Sequence, residues 1–244
     1  ASPEKPEGFW QFRRAVEGLA DACEALGTPV ISGNVSFYNE TPERAIHPTP
    51  TVGMVGLLPD ADKRVTLGFK SEGNEIYVIG GGEPTLGGSE YLAVIHGQEV
   101  GRPPALDMEA EKKLQAFLRE AIGQGLLQSA HDVSDGGLSV ALAECCLAEG
   151  RGGAIELFGP VRAVHLFGER CSVAVISFAP SSKPQINALR DKHEIRGSNL
   201  GTVGGGSLTI TVGLQAALSL PIADLRAAYE GAIPAAMEAG TGTA

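Results

Sequence analysis

Ser32-Gly33-Asn34-Val35-Ser36-Phe37-Tyr38-Asn39-Glu40 continues a run, Pro29-Val30-Ile31, that begins as a β-strand. Gly and Asn both weaken sheet packing, so their place at the centre of a strand needs a reason. Gly33 would let a ligand approach the backbone closely. Asn34 offers a neutral oxygen of the kind a magnesium ion accepts beside nucleotide phosphates. Ser36 stands two residues on, so in a strand its hydroxyl faces the same side as Asn34. The same residues also suit a β-bulge followed by an Asx turn, with no ligand involved. Local chemistry leaves both readings open.

Ahead of this stretch, Phe9, Phe12, Val16, Leu19, Cys23 and Leu26 recur at helical spacing, while Arg13, Arg14 and Glu17 lie off that stripe. The pattern predicts an amphipathic helix over 7–26, with Pro6 in its first turn and Gly27 at its C-terminal cap. Behind it, Asn39, Thr41, Pro42, Pro48 and Pro50 predict a loop over 39–50, and a second buried strand follows at Thr51–Leu58. Two strands and one helix make a weak domain, because a two-stranded sheet is rarely stable alone. With a boundary near residue 70, residues 1–70 read as a domain truncated at its N-terminal side, and 71–244 as a second domain.

Beyond that boundary the elements alternate. Strands are predicted at 75–80, 126–130, 154–158, 171–178 and 207–212. Helices are predicted at 107–123, 137–148, 183–191 and from Pro221 to about Gly231. The tail from Ala235, rich in Ala, Gly and Thr, is expected to fray. The fold class is α/β (α+β).

His131-Asp132-Val133-Ser134-Asp135-Gly136-Gly137-Leu138 follows a predicted strand and opens a helix. Gly136 and Gly137 leave backbone donors unencumbered, which favours an anion. His131, Asp132 and Asp135 could carry a proton or ligate a cation. Simple helix capping by Ser134 or Asp135 is the competing account. Three such residues within five positions do not make a hydrolase triad, whose members converge in space. Gly80-Gly81-Gly82-Glu83-Pro84 and Leu86-Gly87-Gly88-Ser89-Glu90-Tyr91 form a Gly-rich loop leading into a helix. They match neither the P-loop nor the dinucleotide fingerprint. His47, His96, His165 and His193 read as surface or packing residues.

Composition limits the remaining classes. The 244 residues are 43% hydrophobic and 20% charged, with net charge −10. Without a basic stripe, nucleic acid is not an expected partner. No apolar run reaches the roughly 18–20 residues of a membrane span, and Ala1–Glu7 lacks the order of a secretory signal. Cys23, Cys145, Cys146 and Cys171 show no metal-ligand spacing, so reduced, mostly buried thiols and a cytoplasmic location are expected.

Taken together, Pro3–Glu7 with Trp10-Gln11-Phe12, Ala25–Val30, Ser32–Glu40, Pro48-Thr49-Pro50, Leu86–Tyr91 and His131–Leu138 resemble, in order, the second half of phosphoribosylformylglycinamidine synthases. The resemblance covers roughly residues 3–225. The Gly-Asn-Val-Ser run is specific to that enzyme family. The strand-to-helix Gly-Gly-Leu feature is shared with aminoimidazole ribonucleotide synthetase and selenophosphate synthetase. The resemblance implies the end of a ferredoxin-like domain followed by an aminoimidazole-ribonucleotide-synthetase-type C-terminal α/β domain. It implies ATP-dependent conversion of formylglycinamide ribonucleotide and ammonia, drawn from glutamine, to the amidine in purine biosynthesis, with ATP and Mg2+ as cofactors. It places Gly33 against ATP, Asn34 on magnesium and Ser36 on the substrate. His131, Asp132, Asp135, Gly136 and Gly137 match the family motif without an assigned role. The family's catalytic histidine belongs to the first half, so this fragment is expected to be inactive alone. Implied partners are that missing N-terminal half, a glutaminase subunit and a small accessory subunit. A structural half with a silent nucleotide site, or a related kinase of the same superfamily, are the alternatives. One departure stands out: Phe167-Gly168-Glu169-Arg170-Cys171-Ser172 is shorter than the family's loop, with its Arg early.

Overall fold

The computed structural model describes residues 2–41, 43, 45, 46, 48–213 and 215–240, without the side chains of 215–217, 239 and 240. The expectations for Pro42, His47 and the last four residues of the tail lie outside the described residues. The chain forms two compact units, Ala1–Pro59 and Asp60–Ala244.

The first unit is built on α1 (Pro6–Leu26), which matches the amphipathic pattern and ends where Gly27 turns left-handed at φ 64°. Its amide satisfies carbonyls of the last turn, as a glycine cap should. The two strands expected at 29–37 and 51–58 do not form. Among the described residues of this unit the one bridge is Glu40 with Ala45. The reason is physical: a strand is held by ladder partners, and neither segment has one. Their apolar side chains are correspondingly bare, with Val55 and Leu57 each 98% exposed. The segment after α1 folds back on the helix: Phe12 meets Phe37 edge-on at 5.2 Å between ring centroids, and Lys5 pairs with Glu40 at 3.1 Å.

The second unit has a real core. Its strands are β1 (Glu75–Gly80), β2 (Ser129–Asp132), β3 (Gly153–Leu157), β4 (Val173–Phe178), β5 (Gly197–Val203), β6 (Ser207–Val212) and β7 (Gln215–Pro221). They form one sheet in the order β2-β4-β1-β5-β3-β6-β7, antiparallel throughout except for β3 beside β6. The helices are α2 (Met108–Gly123), α3 (Gly137–Glu149), α4 (Ala163–Phe167), α5 (Lys183–Lys192) and α6 (Ile222–Gly240). The period of two along β1 and β4 divides the core between the two faces. Ile76, Val173 and Val175 join Phe69, Leu138, Leu142, Ile155, Leu208 and Ile210 on the α3 side. Tyr77, Ile79, Ala174, Ile176 and Phe178 join Leu114 and Phe117 of α2 and Ile186 and Leu189 of α5 on the other. All six residues of β4 are buried, so this strand lies between two apolar layers.

The mixed α/β class therefore holds. Four elements of this unit depart from the sequence reading, among them α4, where no helix was expected. β5 was not anticipated, because Gly197, Ser198, Asn199 and Gly201 disfavour a strand; β1 and β3 on either side supply its ladder. β7 was also missed, though it closes the sheet edge beside β6. α6 runs on through Pro234 to Gly240 instead of stopping near 231.

The cysteines are all free, and Cys145 and Cys146 are buried on α3. Burial raises the thiol pKa of both and pushes Cys146 up to about 12, so they pack as small apolar groups. Among the described residues no helix is long and apolar enough to cross a membrane.

Candidate functional site

The second unit contains a cavity of about 760 Å³. The end of β2, the turn into α3, the start of β4 and one side of α2 form its walls. His131 to Asp135 line it, with Glu169 to Ala174 opposite and Glu111, Leu114 and Leu118 from α2. The strand-to-helix motif picked out in the sequence thus faces this cavity. Such concavities with convergent polar groups are where ligands bind.

His131 is held between two carboxylates. Nδ1 lies 3.1 Å from Asp132 Oδ1 and Nε2 lies 2.9 Å from Glu144 Oε2, with the imidazole side chain only 14% exposed. A ring held at both nitrogens keeps its orientation, and the neutral imidazole has one N–H, which donates to one of the two carboxylates. Asp132 is exposed, as is Asp135. Among the described residues no group of three or more His, Cys, Asp or Glu side chains could hold a metal ion.

The start of α3 is capped, but by neither Ser134 nor Asp135 through its side chain. Gly136 occupies the N-cap with φ 76°, and its N–H donates to Glu169 Oε1 at 3.0 Å. The same oxygen accepts the N–H of Glu90 at 2.8 Å. Glu169 also exchanges two backbone hydrogen bonds with Thr85, each 3.0 Å. One carboxylate therefore ties the Gly-rich loop at Glu90 to the start of α3, where the sequence left both an anion and simple capping open. Glu169→Ala is expected to cost about 1–3 kcal/mol by leaving two amides without an acceptor. Glu169→Gln, which keeps an amide oxygen there, should lose less than half of that. Urea midpoints of the two variants check the difference, and equal losses would show that the carbonyl contact is idle.

Gly137 is required by close approach. Its φ is 73°, and an added Cβ would lie 2.7 Å from the carbonyl oxygen of Gly168 and 2.7 Å from the carbonyl carbon of Phe167. Only a residue without a side chain lets α3 begin against the end of α4.

In the first unit, Gly33, Asn34 and Ser36 are all exposed, and a Cβ on Gly33 would meet nothing within 4 Å. The segment carries a turn: Asn39 Nδ2 donates to the Ser36 carbonyl at 3.3 Å, and Tyr38 has φ 60°. With no ladder to fix the pleat, a common face for Asn34 and Ser36 does not follow from the structure. An exposed amide oxygen at Asn34 suits a single protein contact to a phosphate-bound magnesium ion, which typically takes one or two protein ligands.

Of the other histidines, His193 bonds Glu120 at 2.7 Å, and His165 Nδ1 accepts the Arg162 N–H at 2.9 Å to start α4. Both act structurally. Sequence reading missed Glu169 as a cap, because its partners lie 33 and 79 residues away. The early Arg in the shortened loop was the available signal that this stretch is unusual.

Residues 71–213 match the AIR synthase related protein, C-terminal domain, and residues 1–58 match the corresponding N-terminal domain. The chain is 47% identical over 254 residues to phosphoribosylformylglycinamidine synthase subunit PurL of Anaeromyxobacter sp. (strain Fw109-5), covering 100% of this chain and 33% of that protein. T. maritima PurL complexed with FGAR is similar in fold, with TM-score 0.57 at 21% identity, over 68% of this chain and 30% of that one. PurLQS from Thermotoga maritima gives TM-score 0.53 at 20% identity, over 66% and 27%. The chain spans about a third of the length of the curated relatives it matches.

Proposed function

The chain belongs to the AIR synthase related protein family, and from that premise we propose that it is the C-terminal part of a phosphoribosylformylglycinamidine synthase. The observation that carries this reading is 47% identity to a PurL subunit along the whole chain. The reaction is ATP-dependent replacement of the amide oxygen of formylglycinamide ribonucleotide by ammonia, with glutamine as the source of the ammonia. Phosphorylating that oxygen makes it a leaving group, so catalysis is chiefly positioning and charge neutralisation. Similarity to structures of T. maritima PurL with FGAR and with ATP supports this choice of ligands.

Within the reaction, residues 1–70 contribute the end of a ferredoxin-like domain and 71–244 the larger α/β domain. Gly33 packs against the nucleotide, Asn34 offers its amide oxygen to magnesium, and Ser36 donates to the substrate. Magnesium, when bound, draws off negative charge between the phosphates. His131, clamped by Asp132 and Glu144, shapes the cavity of the second unit. The remainder of the enzyme supplies the catalytic histidine, and a glutaminase and a small accessory subunit are the partners, a reading to which the PurLQS likeness adds support. The assembly works in the cytoplasm, and this chain alone is inactive.

The test is an assay of the longer protein with formylglycinamide ribonucleotide, ATP, magnesium and free ammonia. Formation of the amidine, identified by mass spectrometry, is expected. ATP turnover without amidine would overturn the proposal.

A further inference from the structure

α6 is longer than the surface it covers. Its start is anchored: Ile222 is buried in the core, Leu225 packs against that core, and Arg226 Nη2 donates to the Leu147 carbonyl at 2.6 Å. From Ala227 to Glu238 every residue except Gly231 is exposed. A helix that covers the core with its first turns alone would be polar all round beyond them. Instead Tyr229, Ile233 and Met237 follow at four-residue steps, 65%, 72% and 69% exposed. They continue the line of Ile222 and Arg226, which lie four and three residues apart in turn, so a single helical stripe runs from the core into solvent.

The chemistry beside the stripe suits a second helix. Ala232 and Ala236 keep one flank low, so another backbone can come close. On the other flank stands Glu230, and Arg226 already holds its carboxylate at 2.6 Å. The stripe is also symmetric about Ile233. Two copies laid antiparallel put Ile233 on Ile233 and, on both sides of it, Tyr229 on Met237, an aromatic ring against a thioether. The antiparallel arrangement sets the two helix dipoles in opposition and keeps the two acidic bodies at opposite ends. A parallel pair would do neither.

We infer that this stripe is the docking surface for α6 of a second copy of the chain, the two helices crossing antiparallel at Ile233. The contact spans about 12 Å of helix from Tyr229 to Met237, at 1.5 Å per residue. Three large side chains and their alanine neighbours from each copy bury less than the roughly 1,200 Å² at which lasting complexes begin. The dimer is therefore weak and fills only as concentration rises. Each chain carries a net charge of −10, so salt screens the repulsion between the bodies and tightens the pairing. This goes beyond the proposed function and does not rest on it, since pairing of this chain and amidine formation by the longer protein can fail separately.

The test is sedimentation of the full 244-residue chain over a rising concentration series, at low and at moderate sodium chloride. A reversible monomer–dimer equilibrium is expected, shifted toward dimer by salt. Ile233→Asp and Met237→Asp should each weaken it about tenfold or more, because each buries a charge in the contact. Both side chains are exposed in the single chain, so the circular dichroism spectrum should not change. Val55→Asp, in the bare segment of the first unit, should leave the equilibrium where it was. Orientation is read by cysteine: Ile233→Cys should oxidise to a 233–233 link, identified by peptide mass spectrometry, and Tyr229→Cys should not link to itself. A monomer at every concentration, a dimer that survives Ile233→Asp, or self-linking through position 229 as readily as through 233 overturns the assignment.

Discussion

Gly137→Ala is expected to lower the stability of the second unit by about 3 kcal/mol, enough to unfold a marginal domain near physiological temperature. Two costs combine. An L-residue held at φ 73° pays roughly 1–2 kcal/mol for the left-handed backbone. The added methyl also lands on the Phe167–Gly168 peptide, and relieving that overlap means moving α3 against α4, at about 1–3 kcal/mol. Gly150→Ala separates the two. Gly150 ends the same helix at φ 66°, but a Cβ there meets nothing within 4 Å, so only the backbone cost applies. Urea unfolding of the two variants should therefore give clearly different midpoints. Equal midpoints would mean that α3 and α4 are not in the contact described, and the geometry of the cavity above them would lose its footing.

How far the sequence could be read depends on where each element finds its partners. α1 and α2 were legible because their apolar positions repeat within one helix, α3 because it is a long apolar run closed by Gly150, and β1, β4 and β6 because runs such as Val173–Phe178 are apolar enough to be buried on both faces. β5 was not, because its polar and glycine residues become a strand only through β1 and β3, which no local pattern shows. Conversely, Thr51–Leu58 has a strand's composition and no ladder, so composition alone overstated it. The candidate site divides the same way. His131–Leu138 announced itself as a strand-to-helix turn with spare donors. That Glu169 takes up the Gly136 donor, and ties it to the Glu90 amide, follows from loops that meet only in three dimensions.

Asn34→Ala in the longer protein is expected to reduce amidine formation about 10²-fold with free ammonia as the nitrogen donor, the scale for losing one charge-stabilising contact in a transition state. Using ammonia matters. If Asn34 served only glutamine hydrolysis or ammonia delivery, the variant would be impaired with glutamine and normal with ammonia. The fold should not respond, because Asn34 is exposed and no hydrogen bond from its side chain is seen among the described residues; surface changes of that kind stay within about 0.5 kcal/mol. Ser36→Ala should behave differently, raising KM for formylglycinamide ribonucleotide more than it lowers kcat, since its hydroxyl is assigned to substrate binding. Added magnesium should partly restore the Asn34 variant and leave the Ser36 variant unmoved. Full ammonia-dependent turnover in Asn34→Ala would remove the magnesium contact from this segment and leave the Gly33–Ser36 run as a turn with no chemical part.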